Sequence, residues 1–246
     1  MGEFDGKTAI VTGSSRGIGR GIAMHLSSLG ANIVVTARNT AALDGLVAEL
    51  SNSGTRALAV TADLSSEEDI QRIESEALAE FGRIDILVNN GAIIHPRLDL
   101  VDFKVDLWKE VIAVNLVAAA ILTKAVLPNM IENRCGKVIN ISSIGGRKGA
   151  KGRSAYRAAK AGLISLTESV AAEVKPFGID VNCICPGGVD TEGLREAFGE
   201  NISTEERNLM DVSEIAHVAA FLASSSSSAI TGTAIDAFGG GNPLFR

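Results

Sequence analysis

Lys7-Thr8-Ala9-Ile10-Val11-Thr12-Gly13-Ser14-Ser15-Arg16-Gly17-Ile18-Gly19 decides how the rest of the chain is read. Lys7 to Thr12 is an apolar, partly β-branched run suited to a buried first strand, and it passes directly into a glycine-rich turn and a helical pattern. Such a turn lets the backbone come close to a pyrophosphate, and the helix behind it offers unpaired N–H groups and the positive end of its dipole. The spacing is G-x3-G-x-G rather than G-x-G-x-x-G, so the turn by itself also fits an ordinary tight connection.

Away from this turn, strand-like and helical patterns alternate along the whole chain. Strands are expected near 7–12, 32–37, 56–61, 84–89, 136–142, 179–185 and 232–237, with helices near 17–30, 40–53, 66–81, 105–131, 155–176 and 212–224. Strand-then-helix alternation implies right-handed crossovers and an α/β fold with a doubly wound, seven-stranded parallel sheet, helices on both faces. No change of composition marks an internal linker, so residues 1–246 are read as a single domain. The segment from about 190 to 211 is polar, contains glycine and has no firm period, the character of a substrate lid or binding loop. The serine run Ser224–Ser228 reads as a polar helix exit.

Composition agrees. Nearly half of the 246 residues are apolar with few aromatics, which suits a parallel sheet sandwiched between helices. A net charge of −6 argues against nucleic acid as a partner. No uninterrupted apolar run reaches the ~18 residues of a membrane span, and the first residues carry no signal-peptide pattern, so a cytoplasmic protein without membrane contact is expected. Cys135, Cys183 and Cys185 form no metal-ligand pattern, and no metal is expected; Cys183 and Cys185 alternate along a strand and read as space-filling.

The second strand ends Val34-Val35-Thr36-Ala37-Arg38-Asn39 without the carboxylate that usually holds the ribose 2′-hydroxyl of NAD. Arg38 stands there instead, where a guanidinium fork suits a 2′-phosphate. Arg16, inside the glycine turn, is placed to stack on adenine or to add a second charge. The expected cofactor is therefore NADP(H), with NAD(H) less favoured; two solvated surface arginines are the competing reading.

Tyr156 and Lys160 lie four apart in a helical stretch and so share a face. A free tyrosine titrates near ~10, and bringing it to about 7 takes roughly 4 kcal/mol. One positive charge ~4 Å away contributes about that much at an effective dielectric near 20. The expectation is that Lys160 makes Tyr156 a usable acid/base; the spacing alone also fits a solvent-facing pair.

Taken together, the glycine turn, the Tyr-x-x-x-Lys pair and the strand order resemble the short-chain dehydrogenase/reductase family, from about Gly6 to Gly240. Thr12-Gly13-x-x-x-Gly17-Ile18-Gly19 is similar to its cofactor turn and Asp63-Leu64 to its adenine-contacting pair. Asn89-Asn90-Gly91-Ala92 stands where the family usually has Asn-Asn-Ala-Gly, a departure in the last two residues. Asn115, Ser143, Pro186-Gly187 and Thr191 fall at further family positions.

The resemblance implies a Rossmann fold and a nicotinamide-dependent interconversion of ketone and secondary alcohol. Tyr156 is the implied proton donor, Ser143 the hydrogen-bond donor to the carbonyl, Lys160 the holder of the ribose, and Asn115 the anchor of a water feeding Lys160. The implied cofactor contacts are Gly13, Ser15, Arg16, Gly17, Ile18, Gly19, Arg38, Asp63, Leu64, Asn90, Gly91, Tyr156, Lys160, Pro186, Gly187, Val189 and Thr191. Nearest in look are the 3-oxoacyl carrier-protein reductases and their secondary-alcohol dehydrogenase relatives. A catalytically silent NADP(H)-binding regulator is the reading from another class, and a homotetramer is the implied assembly.

Substrate identity is less legible. Arg147, Lys148, Lys151 and Arg153 concentrate positive charge between Ser143 and Tyr156, and His95 and Arg97 approach from the exit of the fourth strand. Either this loop draws an anionic carbonyl/alcohol substrate, or it is simply solvated. Leu194, Phe198, Ile202, Leu209 and Met210 give the expected lid an apolar face.

Overall fold

The computed structural model describes residues 2–198 and 209–240, apart from the side chains of Ala197 and Phe198. Seven strands form one parallel sheet: β1 (Thr8–Thr12), β2 (Asn32–Ala37), β3 (Ala57–Thr61), β4 (Ile86–Asn89), β5 (Gly136–Ile141), β6 (Ile179–Pro186) and β7 (Ala234–Ala237), in the order β3-β2-β1-β4-β5-β6-β7. The helices are α1 (Gly17–Ser28), α2 (Thr40–Asn52), α3 (Glu67–Phe81), α4 (Val105–Ile112), α5 (Ala118–Glu132), α6 (Ser154–Val174), α7 (Glu192–Phe198) and α8 (Val212–Ala223). This is the Rossmann-like, doubly wound architecture expected.

Successive strand residues point to opposite faces, and both faces are dry. Ala9, Val11, Ile33, Val35, Val88 and Ile139 pack with Ile22 and Leu26 of α1, Leu43 of α2 and Ile215 of α8. Ile10, Val34, Val60, Leu87, Val138 and Val181 pack with Ile73 of α3, Leu122 and Val126 of α5 and Val174 of α6.

Local chemistry sets the helix ends. Ser66 caps α3 by accepting from Asp69 N–H (3.2 Å), and Gly82 closes it in the left-handed region. Asp211 and Glu214 form a capping box on α8. The serine run does end that helix, with Ser224 Oγ accepting from Ser226 N–H (3.1 Å).

Two expectations change. The helix expected over 105–131 is broken by a π-turn, Ala113–Val117, centred on Asn115. With that turn included, Val105–Glu132 is long and apolar enough by length and composition to cross a membrane, which a search for uninterrupted runs misses because Asn115 and Lys124 interrupt them. Its Ala118, Leu122, Val126 and Met130 are buried against the sheet. The 190–211 segment is not wholly irregular. It contains α7, and its ends are clasped by Asp190 N–H to Met210 O and Met210 N–H to Gly188 O (both 2.9 Å). Met210 is therefore core, not lid. Ile202, the Phe198 side chain and the tail after Gly240 lie outside the described residues.

At the amino edge, Asp85 ties β1 to β4. Its buried carboxylate accepts from Thr8 N–H (3.0 Å), Lys7 Nζ (3.1 Å) and Arg83 Nε (2.8 Å). Burial pushes this carboxyl up, but the Arg83, Thr8 and Lys7 donors outweigh it and hold it below its ordinary value. Asp85→Ala should cost about 2–3 kcal/mol in urea unfolding near neutrality, because it strands a buried N–H and two cations. The difference from the parent should shrink as pH falls through the carboxylate range, since a depressed group loses its contribution on protonation.

Candidate active site

From β1 the chain winds one way, to β2 and β3, and from β4 it winds the other, so the connections diverge between β1 and β4. That divergence opens a crevice at the carboxyl edge of the sheet. A cleft of about 910 Å³ lies along it. Gly13, Ser15, Arg16, Gly17, Ile18, Arg38, Asp63 and Leu64 line one end and Ser143, Tyr156 and Lys160 the other. Asn90 and Gly91 lie between, and Pro186, Gly187, Val189 and Thr191 form the far wall. Of the catalytic and cofactor-contact residues implied from sequence, only Gly19 and Asn115 stand outside the lining.

Gly19 lies behind the turn because the turn needs it there. A Cβ at Gly19 would come within 2.4 Å of Gly13 O and 2.5 Å of Asn90 Nδ2. Gly13 itself is at φ +64° and presses against the Gly91 backbone, where a Cβ would meet Gly91 Cα at 2.7 Å. At Gly91, the departure from the usual family pattern, a Cβ would meet only the flexible end of Leu64 at 2.3 Å and otherwise nothing closer than 3.4 Å, so that position is the least constrained of the three.

Side chains then pin the turn in place. Thr12 Oγ1 accepts from Asn90 N–H and Gly91 N–H (2.9 Å each), Asn90 Nδ2 donates to Thr12 O (2.9 Å), and Ser14 Oγ accepts from Thr36 N–H (2.9 Å). Unlike α2, α3 and α8, α1 has neither a side-chain cap nor an acid in its first turn, so its leading N–H groups are left for a phosphate. The cradle fits a dinucleotide.

Arg38 is exposed at the rim where β2 ends, with no ion pair to any described residue. Arg16 differs from expectation: its guanidinium makes a bidentate pair with Glu196 of α7, bridging the glycine turn to the lid helix. Asp63 is partly engaged, Oδ1 accepting from Ser65 N–H and Oγ–H (2.8 Å each).

At the other end, Tyr156 and Lys160 do share a face of α6. Lys160 is buried, its Nζ donates to Ile141 O (2.7 Å), and it lies 5.7 Å from the Tyr156 ring centroid. Burial lowers Lys160 from its ordinary 10.5 to about 8. Tyr156 is the correction. Burial raises its phenol, opposed by a hydrogen bond from Ser143 and by the charges of Arg153 and Arg157. Burial outweighs these, so the phenol lies above its ordinary value and stays protonated at neutrality.

Ser143 sits beyond the end of β5, its Oγ accepting from Gly145 N–H (2.9 Å). Asn115 lies behind this wall. Its side-chain amide bonds Ile93, accepting from N–H (2.7 Å) and donating to O (2.9 Å), so the residue anchors the loop after β4.

Most of the basic loop turns away. Arg147 pairs with Asp236 (2.8 Å), Lys151 with Asp99 (3.3 Å), and only Arg153 of the four lines the cleft. His95 is buried against Phe103 outside the lining. Sequence reasoning missed Arg157, which lines the cleft directly after Tyr156, and Ser142, whose Oγ–H donates to Lys160 O (2.7 Å). Arg157 was legible as the neighbour of Tyr156; Ser142 had no signal beyond adjacency to Ser143. No group of metal-ligating side chains occurs among the described residues.

The depressed Lys160 has a measurable sign. Below about pH 8 the ammonium is charged in both folded and unfolded chains and its burial penalty stands in full. As pH rises through 8 the folded state sheds the proton while the unfolded chain keeps it to ~10.4, so stability from this group climbs. Urea unfolding should show the parent gaining about 2–3 kcal/mol on Lys160→Met between pH 7 and pH 10. A difference that does not move with pH would contradict the buried amine.

A family profile described as short chain dehydrogenase matches residues 7–201. The 3-oxoacyl-(acyl-carrier-protein) reductase FabG of Salmonella typhimurium is 39% identical over 96% of this chain and 98% of its own. The uncharacterized oxidoreductase YxjF of Bacillus subtilis is 35% identical, covering 95% and 97% respectively. The crystal structure of levodione reductase superposes with a TM-score of 0.87 at 29% identity, covering 95% of this chain and 96% of that one. With the profile match, the relatives' identity over nearly the whole chain and the shared fold, the chain belongs to the short-chain dehydrogenase/reductase family and is one of its oxidoreductases.

Proposed function

We propose that this oxidoreductase interconverts a ketone and a secondary alcohol with NADP(H), Tyr156 being the acid/base. The observation that carries the reading is the convergence of Ser143, Tyr156 and Lys160 on one end of a cleft whose other end is a glycine cradle. A bound nicotinamide supplies or accepts the hydride at the carbonyl carbon. Everything else falls to this chain. Ser143 orients the carbonyl oxygen and stabilises charge developing on it. Tyr156, held neutral by burial, has a proton to give to that oxygen in reduction, and Arg153 and Arg157 make the phenolate left behind less costly. Lys160, fixed by Ile141 O and carrying a proton near neutrality, holds the ribose hydroxyls.

Arg38 supports NADP(H) over NAD(H): it is exposed at the end of β2, and no carboxylate occupies the adjoining positions Ala37 and Asn39. With Arg16 engaged by Glu196, Arg38 is the cation that meets a 2′-phosphate. The second reading, reduction of a 3-oxoacyl thioester, is favoured by the names of several relatives, among them the 39% identical Salmonella reductase. A silent regulator is disfavoured by the presence of Ser143, Tyr156 and Lys160 together.

Tyr156→Phe should lower kcat by about 10²- to 10⁴-fold while NADPH affinity, read by fluorescence titration, stays within a few fold. Residual turnover within tenfold of the parent would remove Tyr156 as the acid. Arg38→Asp should reverse the ratio of kcat/KM for NADPH over NADH, through an at least tenfold loss with NADPH. An unchanged ratio would assign the 2′-phosphate elsewhere.

A further inference from the structure

The turn between β1 and α1 meets the base of α7 at the dinucleotide end of the cleft. Ser14 ties the turn to the end of β2, its N–H donating to Thr36 O (3.2 Å) and its Oγ accepting from Thr36 N–H (2.9 Å). Arg16 and Arg38 each follow that tie by two residues, so both leave the backbone beside it, and both line the cleft. From the other side, a Cβ on Gly17 would lie 3.3 Å from Thr191 Cγ2 and 3.8 Å from Glu192 Oε2. The start of α7 is therefore packed on the glycine turn.

The base of α7 is fixed by its own polar contacts. Thr191 Oγ1 accepts from Leu194 N–H (3.2 Å), Arg195 makes a bidentate pair with Asp190 (2.9 and 2.8 Å), and Asp190 N–H is clasped to Met210 O. Glu192 and Glu196 are one helical turn apart, so both carboxylates stand on the face toward the glycine turn. Glu196 takes the Arg16 fork with both oxygens, Nη2 donating to Oε2 at 2.8 Å. The hydrogen bonds of this pair raise Arg16 above its ordinary value and hold Glu196 below its own, and the charge of Glu192 adds to the pull on Arg16. Both side chains of the pair are half or more exposed, so an anion entering the cleft can compete for the fork. A phosphate offers that fork the same bidentate geometry with more charge.

We infer that Glu196 sets cofactor selectivity, competing with the adenosine 2′-phosphate for Arg16 and so weakening NADPH relative to NADH. This rests on the NADP(H) reading, in which Arg38 meets that phosphate, and deepens it by naming the residue that limits the preference. Arg38 acts on the phosphate independently of α7. Arg16 joins it only to the extent that its fork leaves Glu196. NADH carries no phosphate on that ribose, so the cost of opening the pair falls on NADPH alone.

Dissociation constants for NADPH and NADH are measured by fluorescence titration for the parent, Glu196→Gln, Arg16→Gln and the double variant, with circular dichroism checking that each is folded. Glu196→Gln should tighten NADPH about 3- to 10-fold and leave NADH within about twofold. With Arg16→Gln already in place, adding Glu196→Gln should move neither constant, because the two residues act as one unit. A gain from the lost negative charge in general would survive the loss of Arg16. NADPH affinity unchanged or weakened in Glu196→Gln, an equal gain for NADH, or a gain that persists without Arg16 would overturn the inference. A parent that binds NADH more tightly than NADPH sinks the NADP(H) reading, while a shift toward NADPH on Glu196→Gln that needs Arg16 still upholds the role of Glu196.

Discussion

A parallel sheet covered on both faces leaves its interior backbone no polar partner but the neighbouring strand. In this protein β1, β2, β4, β5 and β6 are buried in that way, with β3 and β7 at the edges only partly covered, so the interior backbone can meet a polar ligand only where strands end and their connections diverge. β1 and β4 diverge at the carboxyl edge, and both ends of the cleft are organised from that point. Thr12, at the last residue of β1, holds the start of the β4 exit by two N–H donors, and Asn90 reaches back to the β1 carbonyl. The glycines answer to the same crowding: two turns pressed so closely together leave no room for a Cβ.

The chemistry at the other end is a contest between burial and charge. Burial acts against both ionised forms, lowering Lys160 and raising Tyr156. Lys160 tolerates its position because Ile141 O accepts a hydrogen bond from its amine at 2.7 Å. Tyr156 receives the Ser143 hydroxyl and the field of Arg153 and Arg157 in compensation. The arginines that act on its phenol are therefore also part of the cleft lining. A buried polar chain supports this end from below. Asn89 Nδ2 donates to Asn140 Oδ1, and Asn140 Nδ2 to Thr167 Oγ1 (2.8 Å each), which joins β4 and β5 to α6.

Much of this was legible in the chain. The seven strands follow from short β-branched runs between helical patterns, and β2 was placed to the residue because its β-branched run Ile33–Thr36 stops just short of Arg38. The cofactor residues could be read because they cluster at strand ends, where local motif and position in the fold coincide. Met210 was misplaced: an apolar residue in a polar segment reads as a lid face until the clasp with Gly188 and Val189 draws it inward. The membrane-length helix was overlooked for a related reason, since interruptions by single polar residues hide an apolar average.

Local patterns were enough for the family, the order of the elements and the pairing of Tyr156 with Lys160 on one helical face, because 3.6-residue and two-residue periods and glycine spacing are properties of neighbours in the chain. Which cation acts on which group was not a local property. Lys160 was nearest to Tyr156 by spacing, yet its amine turned to Ile141; Arg16 was taken for the cofactor, yet met Glu196 from a distant helix; and three basic residues of one loop, Arg147, Lys151 and Arg153, divided between Asp236, Asp99 and the cleft. Electrostatic energy depends on distance and burial through space, and those are set only when segments far apart in sequence have packed.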